Sequence, residues 1–301
     1  MAEENKDAAP ATPTKKEEGP SMKEVFEKAK KRALGGGIAG ATAMVCQVTS
    51  LMWLRTTMNY QYRNGTSTIA ALKHLYKEGG VRRFYRGYGP ALLQGPLSRF
   101  GDTAANTGVL TFMNSMEETR EMPTFFKSAC ASLAASSWRI FLMPIDTTKT
   151  ILQVEGAKGL NVLGNKIKKG GPLVLYHGGL GAAGATYVGH LPWFGTFNYL
   201  NATLPKGDTP FMELARNAAC GFTASVVSDT CSNSVRVLKT TKQTFATSIT
   251  YREAAKHVIE KDGVLGLFGR GLRTRILANG IQGMMFSVLW KFFERKLNER
   301  H

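Results

Sequence analysis

Acidic residues are scarce in this chain, which has 22 Asp and Glu against 39 Lys and Arg and a formal net charge of +17. A nucleic-acid-binding protein would need a basic face that also carries stacking aromatic residues. Here the basic residues cluster between apolar segments, as in the stretches VRRFYR and KIKKGG. Basic residues in that position attract anionic lipid headgroups. The charge pattern therefore favours membrane lipid as a partner and argues against nucleic acid.

Cysteine is also rare, since the chain has only Cys46, Cys130, Cys220 and Cys231. None of them is spaced from another as paired metal ligands would be. All four lie in apolar segments, so we expect small, buried hydrophobic side chains. The sequence also lacks a nucleophile constellation and a nucleotide-binding loop. These absences predict a protein that is not an enzyme and that needs neither a cofactor nor a metal.

Several long stretches have no charge at all, among them residues 33–54 and 178–205. A helix needs about 20 apolar residues to cross the core of a bilayer. The stretches are rich in glycine and alanine, as closely packed membrane helices are. They indicate a membrane protein, and a soluble helical protein with a large core is the alternative.

Residues 1–25 are charged, rich in Ala, Pro and Glu, and free of aromatic residues. This composition predicts a disordered tail. The tail has no apolar region for a signal peptide, and its acidic residues argue against an Arg-rich transit peptide. We therefore expect no cleavable presequence, and import into an organelle would use internal signals.

Two markers reveal a threefold internal repeat. The segments SLMWLRTT, PIDTTKTI and SVRVLKTT each carry a basic residue followed by threonine, and these bases are 94 and 90 residues apart: Arg55, Lys149 and Lys239. The segments EGGVRRFYRG, KGGPLVLYHG and KDGVLGLFGRG end in glycines that are 91 and 93 residues apart: Gly87, Gly178 and Gly271. Two independent markers with nearly one period indicate three copies of one unit.

Each repeat is predicted to contain a long "odd" helix, a short amphipathic helix and a long "even" helix. The repeats cover about 30–118, 123–208 and 211–298 within one domain over 30–298. The six long helices are expected to span a membrane at about 31–57, 88–114, 123–153, 179–203, 211–241 and 272–296. The predicted fold class is therefore an all-α membrane protein with a pseudo-threefold bundle.

Over residues 30–298 the chain resembles the mitochondrial carrier family. That family has three such repeats, each with the signature Px[DE]xx[KR] on its odd helix, and PIDTTK matches it in full. The resemblance implies a six-helix bundle around a central cavity in the mitochondrial inner membrane. It also implies alternating-access transport of a small metabolite, with Pro144 kinking its odd helix.

The resemblance further implies a matrix-side gate, in which the acid of each odd helix pairs with the base of the next. The three bases are present, but Asp146 is the only acid, because Met52 and Arg236 occupy the other two acid positions. We expect Asp146 to pair with Lys239. Lys149 would then face Met52, and Arg55 would face Arg236.

A second charge pattern lies two helical turns from the gate. Arg139 precedes Asp146 by seven residues, and Asp229 precedes Arg236 by seven, so each pair shares a helix face. If the two faces meet, Arg139 pairs with Asp229, and Asp146 with Arg236. Such charges could bind a solute or clamp the helices together, and both interpretations remain open.

The resemblance implies further cavity residues, namely Arg99, Asp102, His190, Gln282 and Gln94. No charged residue stands at the family's principal contact positions, which disfavours a strongly anionic solute bound in the usual way. A small zwitterion, such as an amino acid, would fit a site made by Arg99, Asp102, Arg139 and Asp229. His190 has an alternative role as a hydrogen-bond partner of a neighbouring helix.

The segments that open the even helices are implied to bind cardiolipin through backbone N–H groups at helix N-termini. The residues concerned are Gly80, Arg86, Gly87, Gly171, Gly178, Gly263, Arg270 and Gly271. Tight turns that need glycine are the alternative explanation.

Two functions remain open on the sequence alone. The first is transport by a carrier with an atypical cavity. The second is a degenerate carrier fold that no longer transports and serves as a structural subunit of a mitochondrial membrane complex.

Overall fold

The computed structural model describes residues 22–298, and every regular element in that range is helical. The α-helices are α1 Met22–Asn64, α2 Thr68–Phe84, α3 Tyr88–Ser115, α4 Glu117–Arg120, α5 Thr124–Phe141, α6 Met143–Glu155, α7 Gly159–Gly170, α8 Gly179–Thr203, α9 Pro210–Thr244, α10 Tyr251–Gly269 and α11 Leu272–Asn298. Two 3₁₀ turns, Gly156–Lys158 and Pro172–Tyr176, flank α7.

The six long helices predicted from the sequence are confirmed. The odd helices are α1, then α5 continued by α6, and then α9, while the even helices are α3, α8 and α11. The amphipathic helices α2, α7 and α10 lie between them, so each repeat has the expected order. Within residues 22–298, no helix combines the length and the apolar content that a membrane crossing requires.

The predicted tail over residues 1–25 overlaps the first helix. Helix α1 begins at Met22, so the last four residues of the predicted tail are helical. Residues 1–21, which make up the rest of that tail, lie outside the described part of the chain.

The odd helix of the second repeat is broken where a proline follows. Leu142, with φ −80° and ψ 0°, separates α5 from α6, and Pro144 stands in the first turn of α6. Proline cannot donate a backbone hydrogen bond and clashes with the preceding turn, which accounts for the break. Helix α1 also has a non-helical residue, Leu51, directly after Ser50, which aligns with Pro144. The kink therefore does not require proline.

Small residues bring neighbouring long helices close together, both within a repeat and between repeats. A Cβ atom added at Gly95 on α3 would lie 2.7 Å from Cγ2 of Val48 on α1. One added at Gly189 on α8 would lie 3.1 Å from the Ser228 hydroxyl on α9. Such close approach is how glycine and serine serve packing between helices.

Burial of the cysteines differs from the expectation. Cys220 is buried and Cys46 is half-buried, but Cys130 and Cys231 are exposed, so the expectation is wrong for these two. Cys130 shares its helix face with Leu133, which is also exposed. An apolar helix has an outer face, and composition alone does not say which residues occupy it.

Three basic side chains join the repeats in a ring beside the amphipathic helices. Arg83 of the first repeat donates to the backbone oxygens of Gln153 and Val154 at the end of α6, at 2.8 Å each. Lys166 of the second repeat donates to the backbone oxygen of Gln243 near the end of α9, at 2.7 Å. Arg270 of the third repeat completes the ring at the end of α1, on the oxygens of Tyr62 and Arg63 at 3.3 and 3.2 Å.

Each cation in this ring therefore binds the odd helix of the next repeat. The last carbonyl groups of a helix have no partner within it, and cations are favoured there by the helix dipole. Glu78 and Asp262 hold Arg83 and Arg270 in place at 2.8 and 2.7 Å. The ring positions the ends of the three odd helices around one centre.

Candidate functional site

A cavity of about 310 Å³ lies at the centre of the bundle, with walls from all three repeats. Most of the residues expected in it do line it: Gln94, Arg99, Asp102, Arg139, His190 and Gln282. Asp229 is not part of the wall, since its side chain is only 5% exposed and lies behind Arg275 and Asn279. The residues expected to form a gate line the end nearest the amphipathic helices: Arg55, Asp146, Lys149, Arg236 and Lys239.

Arg139 binds Asp102, not Asp229, so the predicted pairing is wrong. Its Nε donates to one carboxylate oxygen of Asp102 at 3.1 Å, and its Nη2 donates to the other. This two-point contact is the strong form of an arginine–carboxylate pair. The prediction assumed that the faces of α5 and α9 meet, whereas α5 packs between α3 and α8.

Asp229 binds Arg275 of α11. Its Oδ1 lies 2.5 Å from Arg275 Nε, and its Oδ2 accepts a hydrogen bond from the Asn279 amide. Arg275 is not among the expected site residues, because it stands three residues before the contact position that the family resemblance implies. The signal was present, since Arg275 and Asn279 are four residues apart and share one helix face.

Asp146 is held by two lysines. Its Oδ2 lies 2.5 Å from Lys239 Nζ on α9, so the predicted contact between the second and third repeats is present. Its Oδ1 lies 2.6 Å from Lys149 Nζ, one turn further along α6. Gln243 adds a hydrogen bond to Oδ2 at 3.3 Å. Asp146 is therefore the carboxylate that pairs with both of these lysines at the expected gate.

The other expected gate contacts differ from the structure. Lys149 does not face Met52, because it binds Asp146 and donates to Gln94 Oε1 at 3.0 Å. A lysine facing a methionine would lack a partner for its charge, whereas Asp146 lies within its reach on the same helix. Met52 instead accepts a contact from Gln153 Nε2 at 3.5 Å.

Arg236 does not reach Asp146 either. Its only hydrogen bond among the described residues runs from Nε to Ser232 Oγ, at 3.2 Å, on its own helix. The donors to Asp146 are instead Lys149, Lys239 and Gln243. The hydrogen bond of Arg55 within the described part of the chain is likewise a weak one, to the sulfur of Met44 at 3.6 Å.

A layer of amides lies next to the gate. Asn59, Gln153 and Gln243 each stand four residues after the base of their repeat. Asn59 donates to Gln153 Oε1 at 2.5 Å, and Gln243 donates to Thr147 Oγ1 at 3.1 Å. Sequence reasoning missed this layer, although the repeat register would have aligned the three positions.

His190 binds a neighbouring helix, as its alternative interpretation predicted. Its Nδ1 lies 2.9 Å from Ser132 Oγ on α5, and its ring meets Phe194 edge to face. Gln282 binds Gln47 Oε1 at 3.2 Å in a similar link between α11 and α1. Both side chains still reach the cavity wall.

The residues predicted to bind cardiolipin fall into two groups. Every glycine among them has a positive φ, as tight turns require: Gly80, Gly87, Gly171, Gly178, Gly263 and Gly271. A Cβ added at Gly178 would also lie 2.9 Å from Gln243 Cγ, so the loop touches the next repeat. Arg86 is exposed, but Arg270 is only 4% exposed and binds the end of α1. Arg270 is therefore wrong as a lipid ligand.

Comparison with known proteins places these features in context. A family model described as mitochondrial carrier protein matches residues 27–116 and 211–301. The chain is 24% identical over 272 residues to the mitochondrial adenyl nucleotide antiporter SLC25A24 of Mus musculus, covering 80% of this chain and 53% of that protein. It is 29% identical over 150 residues to the mitochondrial carrier protein CoAc1 of Zea mays, covering 42% and 41%.

A third relative is the mitochondrial adenyl nucleotide antiporter SLC25A24 of Oryctolagus cuniculus. It is 27% identical over 165 residues, which cover 54% of this chain and 32% of that protein. The chain thus spans about half, or less, of the length of these relatives. The family model leaves out the second repeat, which carries the full PIDTTK motif.

Proposed function

The chain belongs to the mitochondrial carrier protein family, and on that premise we propose that it moves a small metabolite across the mitochondrial inner membrane by alternating access. The observation that supports this most is the Asp146–Lys239 pair, which joins the second and third repeats at one end of the central cavity. An ion pair suits a gate because water resolvates both charges when it opens.

The gate can open without leaving its carboxylate bare. When α6 and α9 separate, Lys239 moves away from Asp146 and is hydrated. Lys149 stays, because it lies one turn from Asp146 on the same helix. A buried carboxylate without a partner would be costly, so Lys149 lowers the free energy of the open state.

The structure gives no support to the expectation that the solute is zwitterionic and amino-acid-like. That expectation relied on Arg139, Asp102 and Asp229 being available to a solute. Arg139 and Asp102 bind each other, and Asp229 binds Arg275. These pairs join α5 to α3 and α9 to α11, which favours the structural-clamp interpretation for them.

The purely structural role has less support than transport. Side chains that plug the centre of the bundle would favour a subunit that no longer transports. A cavity of about 310 Å³ with a charged wall lies there instead. For lipid, we propose that cardiolipin binds at the N-termini of α3 and α8, which begin after Gly87 and Gly178 without a side-chain cap, with Arg86 as an exposed cation.

Uptake into liposomes by the purified protein tests the transport function. The solutes should include amino acids, small carboxylates and phosphorylated metabolites. We expect uptake of at least one solute, and we expect Asp146→Asn to lower it at least about tenfold, because Lys149 and Lys239 then repel each other without a counter-charge. Asp208→Asn, which removes an exposed carboxylate outside the cavity, is the matched control. Absence of uptake for every solute would contradict the proposal.

A further inference from the structure

We propose that the solute is a metabolite with at least two negative charges, and that one of its oxyanion groups binds between Arg55 and Arg236 at the gate. This inference rests on the transport function proposed above and names the class of its substrate. The bound oxyanion supplies the negative charge that two of the three gate positions lack.

The first step is the charge balance of the cavity. Seven basic residues line it: Arg55, Arg99, Arg139, Lys149, Arg236, Lys239 and Arg275. Against them stand Asp102 and Asp146 in the wall and Asp229 behind it. The described part of the cavity therefore has a clear excess of positive charge.

The second step is the pairing of those charges. Asp102 binds Arg139, Asp146 binds both lysines, and Asp229 binds Arg275. No carboxylate among the lining residues is left for the ammonium group of a cation or a zwitterion. The charged side chains of the cavity wall that have no ion-pair partner among the described residues are all basic. The cavity therefore favours an anion.

The third step is the position of the free cations. Arg55 contacts only a thioether, and Arg236 only a serine hydroxyl, among the described residues. Both side chains line the same cavity as Arg275, which contacts the Met58 sulfur on α1 at 3.9 Å and Asp229 on α9. Arg275 already has Asp229 as its counter-charge, whereas Arg55 and Arg236 have no carboxylate partner among the described residues. An anion that binds both of them would offset the repulsion between like charges in a partly buried site.

The fourth step is the register of the repeats. Arg236 stands where Asp146 stands in the second repeat, and Met52 occupies that position in the first. An oxyanion beside Arg236 would thus take the place of the absent acid and face Arg55. Guanidinium groups bind carboxylate and phosphate oxygens in a planar, two-point geometry, so either chemistry fits.

Ligand binding to the full-length protein in detergent tests the inference without a membrane. The probes are pyrophosphate, citrate and the zwitterion glutamine, at an ionic strength held constant with chloride. We expect pyrophosphate or citrate to bind and to raise the thermal unfolding midpoint, and their comparison identifies phosphate or carboxylate chemistry. Arg55→Gln and Arg236→Gln should each raise the Kd at least about tenfold, because each removes a charged hydrogen-bond donor.

Two further variants make the outcome specific. Arg273→Gln removes an exposed arginine two residues from Arg275 and should leave the Kd unchanged. Arg236→Glu restores an acid that can pair with Arg55, so it should raise the unfolding midpoint without ligand and abolish the effect of the anion. That variant also shows that loss of binding does not come from unfolding.

Three results would overturn the inference. They are binding of neither anion, an anion effect that persists in Arg55→Gln and Arg236→Gln, and a larger stabilisation by glutamine than by the anions. The two proposals can fail separately. Anion binding with the expected variant pattern but no uptake into liposomes would refute transport alone, whereas uptake of a zwitterion without anion binding would refute only the anion site.

Discussion

The contact between Arg139 and Asp102 shows how charged residues can serve the bundle itself. The two side chains are 29% and 17% exposed, and they join α5 to α3 across the cavity wall. Each would be left without a counter-charge if the other were removed. An uncompensated charge in a partly buried position costs more than the pair contributes when it is intact.

Variants of this pair should therefore be strongly coupled. We expect Arg139→Gln and Asp102→Asn each to lower the free energy of unfolding by about 2 kcal/mol, because each leaves one charge unpaired. The double variant should cost less than the sum of the two by about 1 kcal/mol or more. Thermal or denaturant unfolding in detergent measures the cycle. Additive effects would mean that the two residues act independently, as separate solute ligands would.

The pairing of individual charges was the least predictable part of the site. The sequence placed Asp146 opposite Lys239 correctly, because the repeat register specifies both positions. It paired Arg139 with Asp229 wrongly. Two residues can lie at the same height on two helices that are not neighbours in the bundle. Helix α8 lies between α5 and α9, and one sequence does not reveal which helices are neighbours. It also does not reveal that Lys149 binds Asp146 on its own helix.

In the ring of basic side chains at the ends of the odd helices, Lys166 differs from Arg83 and Arg270 in its partners. Arg83 and Arg270 each have a carboxylate partner, but no carboxylate binds Lys166 among the described residues. Burial, together with the positive charges of Lys242 and Arg63, lowers the pKa of Lys166 to about 8. The second repeat is thus held by the weakest of the three contacts.

This difference predicts a pH dependence. The pKa of Lys166 is about 8 in the folded protein and 10.5 in its ordinary state, so the unfolded chain binds more protons between these values. The contribution of Lys166 to the free energy of unfolding therefore rises with pH from about 8 to about 10.5 and is constant below and above. Lys166→Gln should remove this rise from the unfolding profile. Lys168→Gln, at an exposed lysine two residues away, should keep it, and identical profiles for the two variants would contradict the assignment.

The long helices could be predicted well from the sequence, because uncharged runs and a threefold repeat both mark them. Breaks within helices were harder to predict. The proline motif indicated a kink in the odd helix of the second repeat, and that helix is divided at Leu142 into α5 and α6. In α1, Leu51 is non-helical although no proline is nearby. Pro144 therefore marks one of these two breaks in the sequence, whereas no residue type marks the one at Leu51.

For the molecule as a whole, a pseudo-threefold bundle is combined with an asymmetric set of charges at the proposed gate. The ring of cations and the turn glycines repeat in all three units, so the frame is symmetric. The charged part of the gate is not, since among the described residues only the contact between α6 and α9 contains an ion pair joining two odd helices. Helix α1 contacts α6 through the amides of Asn59 and Gln153 and the sulfur of Met52, and it contacts α9 through apolar packing of Tyr62 and Met58 against Val237.

Opening should therefore depend mainly on the α6–α9 contact. In Lys239→Gln, Asp146 keeps Lys149, so the fold is retained while the closed state loses a charged contact. We expect the open population to rise about tenfold, the equivalent of one charge-assisted hydrogen bond. A single cysteine at Ala182, in the cavity wall, reports this once the native cysteines are replaced by serine. An impermeant maleimide added on the side of the amphipathic helices should label it faster in Lys239→Gln than in Lys168→Gln, and equal rates would show that another contact holds the gate.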